Sequence, residues 1–200
     1  EVIRVTITTR LYSDDLVALD TAYSFEFRVA SKKIPFANRA FQTNIISDTA
    51  DFARSVFAVD LDRDGDMDIL TASRDDDVIA WYENDGNQNF TGYDIATNAD
   101  GAVSVYAADI DNDGDLDILS ASRFDNTVAW YENDGNLNFT KRIISSSSRA
   151  AVHVAAADVD GDGDNDVLSA ASIDNEISWY ENDGDQNFTT RIVSNNVNGA

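Results

Sequence analysis

Five aspartates occupy alternate positions of one nine-residue stretch: Asp60, Asp62, Asp64, Asp66 and Asp68. The stretch returns as Asp109, Asp111, Asp113, Asp115 and Asp117, and again as Asp158, Asp160, Asp162, Asp164 and Asp166. Glycine holds the sixth place each time (Gly65, Gly114, Gly163), where a sharp turn is needed. Carboxylates at positions one, three, five and nine can converge on one hard cation, and the backbone carbonyl of position seven adds an oxygen. Calcium takes roughly six to eight oxygens in a flexible shell, whereas magnesium keeps a rigid octahedron with several waters. Zinc and its neighbours want His or Cys, and the chain has one histidine and no cysteine. The competing reading is a solvated acidic turn. Against it, clustered carboxylates repel one another unless a cation sits among them, and the cluster recurs three times. Calcium, about one ion per repeat and three in all, is therefore expected. An EF-hand does not fit, because its twelfth position falls on Thr71, Ser120 and Ser169 rather than on a bidentate acid.

The elements that carry these loops repeat with them. Trp81, Trp130 and Trp179 lie 49 residues apart, as do Phe41, Phe90, Phe139 and Phe188, and WYENDG recurs unchanged three times. Each repeat reads as four short strands. In the second copy Ser104–Ala108 leads into the Asp loop and Ile118–Ser122 leaves it. Thr127–Tyr131 follows a turn at Asp125-Asn126, and Phe139–Ile144 follows the hairpin signal Asp134-Gly135. Four strands in 49 residues is the size of one propeller blade. The expected fold is all-β: a β-propeller segment of three four-stranded blades, about 55–95, 104–144 and 153–193, within residues 36–200. A leftover fourth-type strand is expected at Phe41–Ile46. Three blades do not close a ring, so self-association or further blades outside this segment are expected to cover the open faces. Residues 1–35 stand outside the repeat. Val5-Thr6-Ile7 and Tyr23–Phe27 alternate about a turn at Ser13-Asp14-Asp15, which predicts a preceding β-hairpin.

Charge narrows the partners. Lys and Arg number 14 against 37 Asp and Glu, a net −23 over 200 residues, which excludes general nucleic-acid binding. Apolar residues make up 43% of the chain, enough for a packed core, and no apolar run is long enough to span a membrane. With no cysteine, the redox compartment is not legible.

The loop between two short strands, followed by WYENDG and Asn-Phe-Thr, resembles the FG-GAP/VCBS-type repeat over about residues 41–194. That family includes the integrin α-subunit propeller and many secreted bacterial proteins. The resemblance implies a propeller with a calcium loop in the first hairpin of each blade. The implied ligands in the first repeat are Asp60, Asp62, Asp64, the Asp66 carbonyl and Asp68, and the other loops match position for position. Literal FG and GAP tripeptides are absent, so the integrin partner-binding face does not carry over. The hairpin before the repeats resembles the last two strands of bacterial Ig-like domains.

Other residues invite sharper readings. Trp81, Trp130 and Trp179 are either sugar-stacking platforms or packing residues between blades, and packing is the commoner role. Glu83, Glu132 and Glu181, beside Asp85, Asp134 and Asp183, resemble glycosidase pairs only superficially. A catalytic pair needs two differently tuned acids, and these are copied identically. His153 takes the place of Ser55 and Ser104 and has no triad context. The expectation is a non-enzymatic, extracellular or cell-surface module that binds protein or glycan in adhesion or assembly. The alternatives are a lectin propeller and an accessory module of a larger secreted enzyme.

Overall fold

The computed structural model describes residues 43–197 and, before them, the backbone of four short strands. The chain forms two compact units, Glu1–Asn44 and Ile45–Ala200. In the first, β1 (Val2–Ile7) pairs antiparallel with β4 (Tyr23–Arg28), Val5 opposite Phe25. Between them β2 (Leu11–Tyr12) pairs with β3 (Ala18–Leu19). The predicted hairpin is thus present as a β1–β4 ladder, while its predicted turn at 13–15 lies outside the described residues.

The second unit is three four-stranded antiparallel sheets, with no helix among the described residues. The first blade is β5 (Ala53–Val59), β6 (Asp68–Ser73), β7 (Val78–Asn84) and β8 (Phe90–Ala96). The second is β9 (Ala102–Ala108), β10 (Asp117–Ser122), β11 (Thr127–Asn133) and β12 (Phe139–Ser145). The third is β13 (Ala151–Ala157), β14 (Asp166–Ala171), β15 (Glu176–Asn182) and β16 (Phe188–Ser194). In each, sequence order is spatial order, so every blade is a simple meander. The first strands lie side by side. Val105 N–H donates to Ser55 Oγ at 3.3 Å, and Val154 N–H to Ser104 Oγ at 3.2 Å. Ser55 on β5 and Ser104 on β9 permit that approach: a short hydroxyl bridges two sheets where a longer chain would wedge them apart.

Packing lies between blades rather than within them. Leu70, Ile79 and Trp81 of the first blade meet Val105, Ile118 and Tyr131 of the second. Leu119, Val128 and Trp130 of the second meet Val154, Val167 and Tyr180 of the third. The middle blade is covered on both faces, and all six residues of β10 are buried. The outer two each keep one bare face. Val56 is 69% exposed, although Val105 and Val154, its equivalents in the later blades, are 4% and 0% exposed. The three sheets do not close a ring.

One expected strand is not formed over its described residues. Residues 43–46, the described part of the predicted Phe41–Ile46 strand, are irregular, and Phe41 and Gln42 lie outside the described residues. A fourth strand pairs with the WYEN strand of its own repeat, and here the corresponding text is Lys-Lys-Ile-Pro-Phe-Ala at 32–37.

Candidate metal centre

Each acidic loop closes the first hairpin of its blade, between Val59 and Asp68 in the first copy, which face each other across the ladder. The ninth-position carboxylate is the anchor. Asp117 is fully buried, and accepts the Ile110 N–H at 2.9 Å and the Asn133 N–H at 2.8 Å. Asp68 and Asp166 repeat this with Leu61 and Asn84, and with Val159 and Asn182. The first-position carboxylate takes the glycine N–H: Asp109 Oδ2 from Gly114 at 3.1 Å. That glycine adopts a φ of 98°, a conformation open to little else, which lets the loop fold back on its first residue. Position three accepts the N–H of position five, and position five that of position seven, in successive Asx turns.

These bonds bring together the carboxylates of positions one, three and nine. Asp60, Asp62 and Asp68 place oxygens within 4.8 Å of one another, as do Asp109, Asp111 and Asp117, and Asp158, Asp160 and Asp166. Each trio can hold a metal ion, one per repeat. Position five stands apart: Asp64, Asp113 and Asp162 are exposed, each with one oxygen taken by the N–H of position seven. Position seven has a different task from the solvent-facing one its carbonyl role suggests. The Asp115 carboxylate packs over Gly135, where a Cβ would lie 2.6 Å from Oδ2. Its other oxygen pairs with Arg63 of the preceding loop at 3.2 Å. Asp164 likewise accepts Asn112 Nδ2 at 2.5 Å. Position four of one loop thus latches position seven of the next.

The electrostatics ask for a cation. Burial pushes Asp117 up to about 7, outweighing the two N–H groups that favour its charged form. Desolvation also raises Asp62, Asp111 and, in the exposed third loop, Asp160, reinforced by the neighbouring loop carboxylates. Asp60 Oδ1 and Asp109 Oδ1 are buried with no donor at all. An unpaired buried carboxylate oxygen is costly, and a hard divalent ion is one group that can satisfy it. The third loop differs: glycine at position four (Gly161) donates its N–H to Asp158 Oδ1 at 2.7 Å, and Asp158 and Asp160 are exposed.

The other singled-out residues separate cleanly. Trp81 and Trp130 are 4% and 1% exposed, packed between blades, so neither offers a face to a sugar. Their neighbours are Tyr93, stacked at 5.0 Å on Trp81, and Phe188, edge-on at 6.5 Å to Trp130. Trp179 is half-buried, because no blade among the described residues packs on its side. Asp85, Asp134 and Asp183 are turn builders. Asp134 accepts from Asn136 N–H and Asn138 Nδ2, both at 2.9 Å, and these bonds hold its carboxyl below the usual range. His153 Nδ1 lies 3.1 Å from Ser104 Oγ on the innermost strands.

Sequence reasoning passed over the asparagine of WYENDG. Asn84, Asn133 and Asn182 each donate Nδ2 to the position-eight carbonyl and the backbone N–H to position nine. The motif therefore braces the loop from the third strand. Its fixed distance from the loop in all three repeats was the available signal.

A four-stranded meander with an acidic loop in its first hairpin, repeated around inner strands, defines a propeller-type repeat module. The FG-GAP-like repeat family matches residues 60–120, 111–169 and 158–200, and the chain belongs to that family. No curated protein matches the chain.

Proposed function

We propose that the chain is a calcium-binding β-propeller module of an extracellular or cell-surface protein, serving adhesion, surface assembly or protein interaction and carrying no catalytic centre. The observation that carries the metal reading is the convergence of three aspartates per loop, buried or half-buried in the first two loops, where each trio also has an unpaired buried oxygen. Asp60, Asp62 and Asp68 would hold the first ion, Asp109, Asp111 and Asp117 the second, and Asp158, Asp160 and Asp166 the third. The position-seven carbonyls and position-five carboxylates stand close in sequence to complete each shell. The ion would supply cross-linking: one centre joins both ends of a hairpin loop and removes carboxylate repulsion. Extracellular calcium is abundant enough to fill such loops, and no helix among the described residues is long and apolar enough to cross a membrane.

The identical turn-building role of Asp85, Asp134 and Asp183 supports the non-enzymatic reading. Burial of Trp81 and Trp130 weighs against the lectin alternative. Calorimetric titration of the metal-stripped chain with calcium tests the reading. Three ions per chain are expected, and a chain that takes up none at millimolar calcium overturns it.

A further inference from the structure

The outer strands of blades two and three carry Arg142 and Arg191 at equivalent positions. Each guanidinium sits on the same cradle. Arg142 pairs with Glu132, and its Cζ lies 5.5 Å from the centre of the Trp130 ring. Arg191 pairs with Glu181, and its Cζ lies 5.3 Å from that of Trp179. In both, the position-three aspartate of the metal loop (Asp111, Asp160) adds attraction to the cation. Tryptophan face, glutamate and aspartate thus form a guanidinium seat that the chain fills itself, twice.

In the first blade a tyrosine ring takes the place of the guanidinium on the tryptophan. Trp81, Glu83 and Asp62 are present, but Arg-Ile is replaced by Tyr93-Asp94. Asp62, Glu83 and Asp94 sum to −3, where Asp111, Glu132 and Arg142 sum to −1. Tyr93 stacks on Trp81, is 46% exposed, and offers Glu83 only a neutral hydroxyl. Together with Phe139 of the next blade these residues line an open cleft of about 390 Å³. Tyr93 covers the Trp81 face, so the exposed Tyr93 ring is the aromatic wall, and with three carboxylates beside it attracts a planar cation by charge and by ring quadrupole together.

We propose that this cleft between the first and second blades receives the guanidinium of an arginine side chain from a partner protein. The ligand chemistry is the one the neighbouring blades display, and the chain's net charge of −23 favours approach of a basic partner. Tyr93 becomes one wall of the site, Glu83 and Asp94 the anionic partners. Arg142 and Arg191 sit beside loops of the same aspartate wording, so a bound cation and a filled loop are compatible. Glu83 and Asp94 keep the cleft anionic whether or not an ion takes up the charge of Asp62, so the inference stands apart from the metal reading.

N-acetyl-arginine methylamide titrated into the full chain, followed by NMR of the Trp81 and Tyr93 rings, tests it with and without calcium. Saturable shifts are expected, with a dissociation constant on the order of millimolar for one partly exposed seat. The citrulline analogue, isosteric and neutral, is expected to give none. Glu83→Gln should weaken binding roughly two- to fivefold, the range for an exposed ion pair. Tyr93→Arg with Asp94→Ile copies the wording of blades two and three and should abolish binding, with an unchanged melting profile showing that the fold survives. Equal shifts with citrulline, undiminished binding in the double variant, or no saturable shift well above the millimolar range would each overturn the proposal. Absence of calcium uptake with arginine binding intact would sink the metal reading and leave this one standing.

Discussion

Asp109 carries two oxygens with different fates. Oδ2 holds the loop glycine, whereas Oδ1 is buried and bare. Asp109→Ala should therefore reduce calcium stoichiometry by one ion in calorimetric titration, because the site loses the oxygen with no other duty. Asp115→Ala tests the opposite case. It leaves the position-seven carbonyl in place and removes only the latch to Arg63, about 0–1 kcal/mol for an exposed pair, so three ions should still bind. Loss of an ion in Asp115→Ala would show that its carboxylate is a ligand after all. Proton binding gives a third residue-level expectation. Asp117 is raised to about 7 in the metal-free fold, so between its ordinary value of 3.8 and 7 the native state holds a proton the unfolded state lacks. Stability of the stripped chain should then fall as pH rises through that window and level off above it. Saturating calcium should flatten this slope in urea melts, since the ion replaces the proton.

At the scale of the element, the aspartate spacing and the glycine at position six were enough to place a loop in the first hairpin. The spacing could not distinguish carboxylates that converge from those that do not, because positions one to nine alternate identically in sequence. What separates Asp111 from Asp113 is which backbone N–H each oxygen meets, and that depends on how the loop folds over its glycine. The strand pattern was legible because every strand alternates or ends in turn chemistry. Of the expected Phe41–Ile46 strand, residues 43–46 are irregular, although the stretch reads in sequence like the start of the later fourth strands. The tryptophans sharpen the point. Trp130 and Trp179 are both followed by Tyr-Glu-Asn-Asp-Gly, yet among the described residues only Trp130 is enclosed by a following blade. Trp130→Ala should cost roughly 3–5 kcal/mol, the range for emptying a core aromatic site, and Trp179→Ala clearly less. Equal losses in chemical denaturation would mean that packing within a blade, not between blades, sets the cost.

For the whole molecule, the proposed calcium reading of three acidic loops in three serially packed sheets would make stability a function of calcium. An ion that binds only the folded chain adds about 2.7 kcal/mol per loop at a hundredfold excess over its dissociation constant. A chelator should thus lower the melting temperature markedly, and melts that ignore it would remove the metal reading. The bare faces around Val56 and Met67 on one side, and Val159 on the other, are expected to drive concentration-dependent association, visible by light scattering. The meander order of each sheet has a mechanical consequence as well. Every blade is cut from one uninterrupted run of 49 residues, and its neighbours hold it through side-chain packing and a few hydroxyl and amide links. A chain pulled by its ends can therefore surrender one blade without unthreading the next. Each event should lengthen the tether by about 160 Å, the extended span of 49 residues, so stretching should trace a sawtooth of equal teeth rather than one abrupt rupture.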